Sequence, residues 1–290
     1  MNGILLVDKP EGWTSHDVIA KLRGVLHERR MGHSGTLDPM ATGLLVVFLG
    51  RATRGVEFAE SHEKEYLAKM RLGVTTDTQD TSGNILSVHD AAVTDEALYS
   101  VLNAFKGDIM QLPPMYSAIK IGGRKLCDIA RRGEEIERTP RPITVTELEM
   151  LDRDGNEVSL RVRCSKGTYI RTLCSDVGET LGCGAVMSAL RRTMCGNFGI
   201  DDAHTMDEII GAAESGRADE LIRPLDSLFH DCAGIMLDTD SEKKCRCGAS
   251  FYTEIDDGEY RAYSSSSGEF LALCRAENGT VSTIKSFFEV

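Results

Sequence analysis

"RRMGHSGTLDPMATGLLVV" runs from Arg29 to Val47 and joins a polar loop to a wholly apolar run. The loop holds a single carboxylate, Asp38, among the turn formers Gly32, Ser34, Gly35, Thr36 and Pro39, with Arg29, Arg30 and His33 before it. The apolar run continues to Leu49, and Leu44–Leu49 reads as a buried strand. Asp-Pro is a common turn opener, so Asp38 taken alone is either a turn cap or an acid presented to a ligand.

The surroundings of this stretch mix strands and helices without regular βαβ alternation. Before it, Gly3–Val7 reads as a strand, and Thr14 with Asp17 forms a capping box for a helix that places Val18, Leu22, Val25 and Leu26 on one face. After it, Tyr66, Ala68, Met70 and Leu72 alternate along a strand. Thr94 caps a helix striped by Leu98, Val101, Leu102 and Phe105, and a further helix is expected near Arg124–Arg132. Ile143–Met150 and Glu157–Cys164 flank Asp154-Gly155 as a hairpin. Ile170, Leu173, Val177 and Leu181 have helical spacing, and Thr205 with Glu208 offers a second capping box. Beyond Pro224 the chain turns to short strands such as "EYRAYS", "EFLALC" and "TVSTI". The expected fold is α+β, a mixed and mostly antiparallel central sheet with flanking helices, followed by a small β domain from residue 231.

The 290 residues allow about two domains, and 41% hydrophobic residues suffice for real cores. The start, MNGILLVDKP, has no basic leader, and Lys9 interrupts its apolar stretch, so it does not read as a signal peptide. No apolar run approaches the roughly 20 residues that span a bilayer. Nine cysteines without CxxC spacing point to reduced thiols and a cytoplasmic chain. Cys245-Arg-Cys247 is spaced poorly for zinc, and no metal site is expected. The net charge of −12 argues at first against nucleic acid. It is unevenly spread: residues 1–200 carry 25 Lys+Arg against 26 Asp+Glu, and residues 201–290 carry 8 against 19. The first two thirds therefore have room for a basic face, with candidates at Lys21, Arg23, Arg29, Arg30, Arg51, Arg54, Arg124, Lys125, Arg131, Arg132, Arg161, Arg163, Lys166, Arg171, Arg191 and Arg192.

The common catalytic designs do not fit the loop. A glycosidase needs two converging carboxylates, and here there is one. No HExxH, GxSxG, GxxxxGK[ST] or GxGxxG occurs, which removes the usual hydrolase, P-loop and dinucleotide readings.

"GHSGTLDPMATGLLVVFLG" resembles the signature loop of the bacterial tRNA pseudouridine synthases of the TruB type. Four further blocks resemble the same family, in its order and spacing. They are "GILLVDKPEGWTSHDVIAKLR", "KEYLAKMRLGVTTDTQDTSGNI", "LPPMYSAIKIGGRKLCDIARRGEEIERTPRPITV" and "CSKGTYIRTLCSDVGETLGCGAVMSALRRT". The resemblance covers roughly residues 3 to 205. It implies a pseudouridine synthase domain over 1–230, while 231–290 resembles a PUA-like RNA-binding domain only loosely and is acidic. It implies isomerisation of uridine 55 in the TΨC loop of tRNA, with the base flipped out and no cofactor. Asp38 matches the family nucleophile, and Arg171 its guanidinium partner. Tyr66 matches the tyrosine that stacks on the flipped base and handles its proton. Tyr169 matches a second pocket tyrosine, Leu190 an apolar wall, and His33 the residue that fills the gap left by the nucleotide. Lys9 belongs to a supporting block and is a candidate phosphate contact. The expected partner is the T-arm of tRNA, bound by a monomer without a protein partner or membrane. Arg124, Lys125, Arg131 and Arg132 are the expected phosphate contacts beside the T-loop clamp.

Overall fold

Thr42–Leu49 is the strand about which the molecule is arranged, and alternate side chains along it serve two different cores. Leu44, Val46 and Phe48 pack with Ile4, Leu6, Leu225, Leu228 and Phe229 on one face. Leu45, Val47 and Leu49 pack on the other face with Val18, Ile19 and Leu22 of the Ser15–Val25 helix and Ile209 of the Met206–Glu214 helix. Burial on both faces explains the unbroken apolar run. The computed structural model describes residues 1–289.

The main sheet has ten strands. Its path runs from His204–Thr205 through Gly3–Lys9, Thr42–Leu49, Ala185–Cys195, Lys64–Leu72, Glu157–Cys164 and Arg141–Asp154 to Gly107–Gln111. Two pairings are parallel, His204–Thr205 with Gly3–Lys9 and the start of Thr42–Leu49 with Arg191 and Arg192. The rest are antiparallel, so the sheet is mixed as expected. One edge of Thr42–Leu49 is taken by Gly3–Lys9. Its other edge pairs Val46–Leu49 with Met31–Ser34, then Thr42 and Gly43 with Ala185–Cys195. The loop carrying Asp38 lies where that edge changes partner.

Both capping boxes form, at Thr14/Asp17 and at Thr205/Glu208. The helix expected near Arg124–Arg132 is shorter, Leu126–Ala130. Arg124 and Lys125 instead pair with Lys120 and Ile121 in a hairpin whose turn needs Gly122 and Gly123 at φ +58° and +81°.

From Ala233 a second sheet of five strands forms, in the order Ala233–Leu237, Gly258–Ser264, Phe270–Glu277, Thr280–Ser286 and Phe251–Tyr252. It also carries a helix, Thr239–Arg246, which the strand-like sequence pattern did not reveal. The second sheet is packed onto the first. Leu273 and Phe287 join the core of Phe48 and Phe229, and Phe270 stacks on Phe287 with ring centroids 5.3 Å apart. Arg51 meets Glu269 at 3.4 Å, and Arg54 donates to the carbonyls of Ser286 and Phe288 at 3.3 Å each. These two arginines therefore hold the second sheet in place and are not part of a free basic face.

Candidate active site

The Asp38 loop is pinned from below by the N-terminal segment. Ser15 is buried, and its hydroxyl both accepts from the Leu37 amide at 2.9 Å and donates to the Leu37 carbonyl at 3.2 Å. The Gly12 amide donates to the Pro39 carbonyl at 2.8 Å. Lys9 is 0% exposed, and its ammonium donates to the carbonyls of Pro10, Trp13 and Pro39 at 2.8, 2.6 and 3.3 Å. Burial draws its pKa down to about 8, with the charges of Asp38, Asp17 and Glu11 opposing. Lys9 is thus a strut beneath the loop. With all three donors used inside the protein, it has no route to an RNA phosphate, which corrects the phosphate-contact expectation.

The turn itself is closed by the backbone, the Ala41 amide donating to the Asp38 carbonyl at 3.0 Å. The Asp38 carboxylate is therefore not a turn cap, and it goes to Arg171. Arg171 lies in the first turn of the Ile170–Thr180 helix, with its side chain 6% exposed. Its Nε is 2.9 Å from Asp38 Oδ2, and one terminal nitrogen is 3.4 Å from Oδ1, a two-point contact on one carboxylate. The remaining donors reach the carbonyls of Thr78 at 2.9 Å and Tyr116 at 2.7 Å. Because the guanidinium is held at four points, it fixes the carboxylate it touches.

Behind this pair stands Asp80, to which the sequence alone assigns no role. Its side chain is 6% exposed and 3.8 Å from Arg171 Nε. Oδ1 accepts from the Thr78 hydroxyl at 2.7 Å and from the Ser82 amide and hydroxyl at 3.0 and 2.5 Å. The Thr-x-Asp-x-Ser spacing of a self-bonded turn was the available signal. Burial raises the pKa of Asp38; Arg171 opposes the rise, and Asp80 adds to it. The Asp38 side chain retains 35% exposure, while those of Arg171 and Asp80 are enclosed.

Of the other expected residues, Tyr169 lies nearest this pair, while Tyr66 and Leu190 share the buried cluster beneath the loop and His33 lies on the Met31–Ser34 strand. Tyr66 is 9% exposed and shares a buried cluster with Leu190, Ile170 and the loop residues Leu37 and Ala41. Burial pushes its phenol up to about 12. Tyr169 precedes the Arg171 helix and is clamped by Gln111, which accepts from its amide at 2.8 Å and donates to its carbonyl at 3.1 Å. Burial raises the Tyr169 phenol, which also feels the charges of Arg171 and Asp38. His33 pairs across the strands with Val47. Burial and the Arg192 charge lower its pKa, which favours the neutral ring, and its Nδ1 is enclosed without a hydrogen-bond partner among the described residues.

The basic face is smaller than composition suggested. Arg192 is 1% exposed. Arg191 meets Asp8 at 2.8 Å, Arg161 meets Glu149 at 3.1 Å, and Arg163 meets Glu65 at 2.7 Å. Lys21, Arg23, Arg29, Arg30, Lys125, Arg132 and Lys166 remain exposed, as do Arg124 and Arg131, which meet Glu134 at 3.2 Å and Asp128 at 3.6 Å.

The family described as TruB family pseudouridylate synthase (N terminal domain) matches residues 23–170. The tRNA pseudouridylate synthase B C-terminal domain matches 171–230. The chain is 48% identical over 228 residues to a tRNA pseudouridine synthase B of Azoarcus sp. (strain BH72), covering 79% of this chain and 76% of that protein. It is 39% identical over 269 residues to one from Clostridium kluyveri, covering 91% and 92%. Among solved structures, a crystal structure of a Cbf5-Nop10-Gar1 complex aligns with a TM-score of 0.75 at 28% identity, covering 99% of this chain and 85% of that one. An H/ACA RNP bound to a substrate RNA containing 2'-deoxyuridine gives 0.74 at 26% identity, with the same coverage. Because the matches run unbroken through the Asp38 loop, the Arg171 helix and the strand of Leu190, the chain belongs to the TruB family of pseudouridylate synthases.

Proposed function

We propose that this enzyme isomerises uridine 55 in the T-arm of tRNA to pseudouridine, with Asp38 as nucleophile. The observation that carries the reading is the carboxylate–guanidinium pair. It provides one acid, oriented at two points and partly exposed. In the reaction the Asp38 carboxylate attacks C1′ of the ribose, and the N1–C1′ bond breaks with its electron pair leaving on uracil. The base turns, C5 bonds to C1′, and the carboxylate departs. Overall, one proton leaves C5 and one arrives at N1. Nothing is oxidised, and the carboxylate supplies the covalent step, so the proposal includes no cofactor.

The target base must leave its stack, which costs a few kcal/mol that the pocket has to offset. Tyr66, Tyr169 and Leu190 form the walls that receive it, and neutral His33 takes up the space it vacates. Arg124, Lys125, Arg131 and Arg132 are the phosphate contacts, with exposed Lys166 as a further one, which makes binding salt-dependent. The names of the curated relatives support tRNA as the substrate, and the proposal has a single chain acting on it. The free thiols suit the cytoplasm.

The test is to incubate Asp38→Asn and Asp38→Ala variants with an unmodified T-arm stem-loop and map pseudouridine by carbodiimide-blocked primer extension. Both variants bind the RNA and form no product. Normal product from Asp38→Ala would remove Asp38 from the mechanism.

A further inference from the structure

Arg192 is the largest side chain in the protein that is fully enclosed, and nothing in the reaction so far uses it. It lies on the Ala185–Cys195 strand directly opposite Tyr66 of Lys64–Leu72. Residues paired in this way project to the same face, so the guanidinium and the phenol share one enclosed space. Among the described residues Arg192 has no carboxylate within ion-pair distance, whereas its neighbour Arg191 is paired with Asp8. Instead its Nε donates to the Leu44 carbonyl at 2.7 Å, and a terminal nitrogen donates to the Gly35 carbonyl at 3.2 Å. Those carbonyls stand on either side of Asp38. The fit leaves no slack. A Cβ at Gly35 (φ +73°) would sit 3.1 Å from the guanidinium, and one at Gly43 (φ +99°) would sit 2.3 Å from the Arg192 carbonyl.

A buried cation without a counter-ion is costly, and two backbone carbonyls alone do not require one, since a neutral amide also donates to them. The charge itself therefore calls for a use. The nearby Lys64 does not supply the same field, because its ammonium is drawn away to the carbonyls of Glu60 and His62 at 2.6 Å each. Burial raises the Tyr66 phenol, and the Arg192 charge is the strongest influence in the opposite direction.

We infer that Arg192 is a positioning residue for the isomerisation, a buried cation set behind Tyr66 to stabilise the phenol oxygen when it becomes anionic. This rests on Tyr66 being the group that handles the proton. The step balances within the site. The phenol gives its proton to N1, which leaves C1′ with the bonding pair, and becomes a phenolate. After C5 has bonded to C1′, the phenolate takes the C5 proton, and the C–H pair restores the ring double bond.

Two substitutions separate the charge from the clamp. Arg192→Gln keeps donors for the carbonyls and removes the charge. Arg192→Lys keeps the charge and weakens the fork. Each is measured in single turnover on a T-arm stem-loop whose target uridine carries hydrogen or deuterium at C5, beside the wild type, with circular dichroism reporting fold. The Gln variant is folded, loses about 100-fold in rate, as expected when proton transfer is crippled, and shows a primary isotope effect that the wild type lacks. The Lys variant melts earlier and shows no isotope effect. A Gln variant with the wild-type rate and no isotope effect would overturn the inference, and so would loss of fold in both variants, which would assign Arg192 to the scaffold alone. Absence of pseudouridine with the wild-type enzyme is a separate outcome, and it would count against the proposed substrate.

Discussion

Replacing Arg171 by Met removes the cation on which two carboxylates depend. Arg171 meets Asp38 at 2.9 and 3.4 Å, stands 3.8 Å from Asp80, and satisfies the carbonyls of Thr78 and Tyr116. Breaking a buried ion pair from one side costs about 3–5 kcal/mol. Asp38 keeps 35% exposure, so water screens its share, and the lower end, about 3 kcal/mol, is the appropriate figure. At about 2–4 °C per kcal/mol for a chain of this size, the melting temperature falls by about 6–12 °C. Loss of the same contact in the transition state slows the chemical step by about two orders of magnitude at 1.36 kcal/mol per tenfold. The pH dependence has a definite sign. Asp38, the proposed nucleophile, must be ionised to attack; burial already raises its pKa, and Arg171 is the main influence holding it down. Without Arg171 the pKa rises further, so the acid limb of the rate profile moves to higher pH and part of the lost activity returns on the alkaline side. Single-turnover rates across the acidic and neutral range, with urea unfolding alongside, test this. Arg171→Lys restores the position of the limb without restoring the full rate. An acid limb in Arg171→Met that coincides with the wild type would refute the argument.

Tyr66→Phe keeps the ring and removes the hydroxyl, so turnover slows far more than RNA binding weakens; equal losses would reduce Tyr66 to a stacking platform. Lys9→Met orphans three carbonyls, at Pro10, Trp13 and Pro39. At about 1 kcal/mol each the variant loses about 3 kcal/mol, read as a lower urea midpoint; an unmoved midpoint would contradict the strut. Phe287→Ala opens a cavity where the two sheets meet and costs about 3–5 kcal/mol, while single-turnover activity of the folded fraction stays unchanged. A calorimetric melt matching the wild type would show that this contact is dispensable.

Local chemistry was legible in the sequence and distant pairing was not. Thr14 with Asp17 and Thr205 with Glu208 announce their helices within four residues, and both boxes form as read. Leu44–Leu49 declares a buried strand by composition, and alternation at Tyr66–Leu72 gives the inward face. Arg191 and Arg192 show where this ends. Adjacent and identical, both are candidates for a basic face by sequence, yet one meets Asp8 while the other is buried opposite Tyr66. Strand alternation puts them on opposite faces, and which face is enclosed depends on a strand more than a hundred residues earlier. Asp80 was passed over for the same reason, since its importance comes from Arg171, which chain folding brings beside it. The Asp38–Arg171 pairing came from family resemblance, because spacing alone left Asp38 divided between turn and catalyst. The Thr239–Arg246 helix was missed because its charged sequence has only Cys245 buried.

The aromatic seam of Phe229, Phe270 and Phe287 has a bearing on protein engineering. The tail's inner side is keyed to Phe48, which lies on the strand leading out of the Asp38 loop. A chimera that borrows the tail of a relative has to keep that tail complementary to Phe48, Phe58 and Phe229, because Phe48 shares a strand with Thr42 and Gly43, which follow the Asp38 loop.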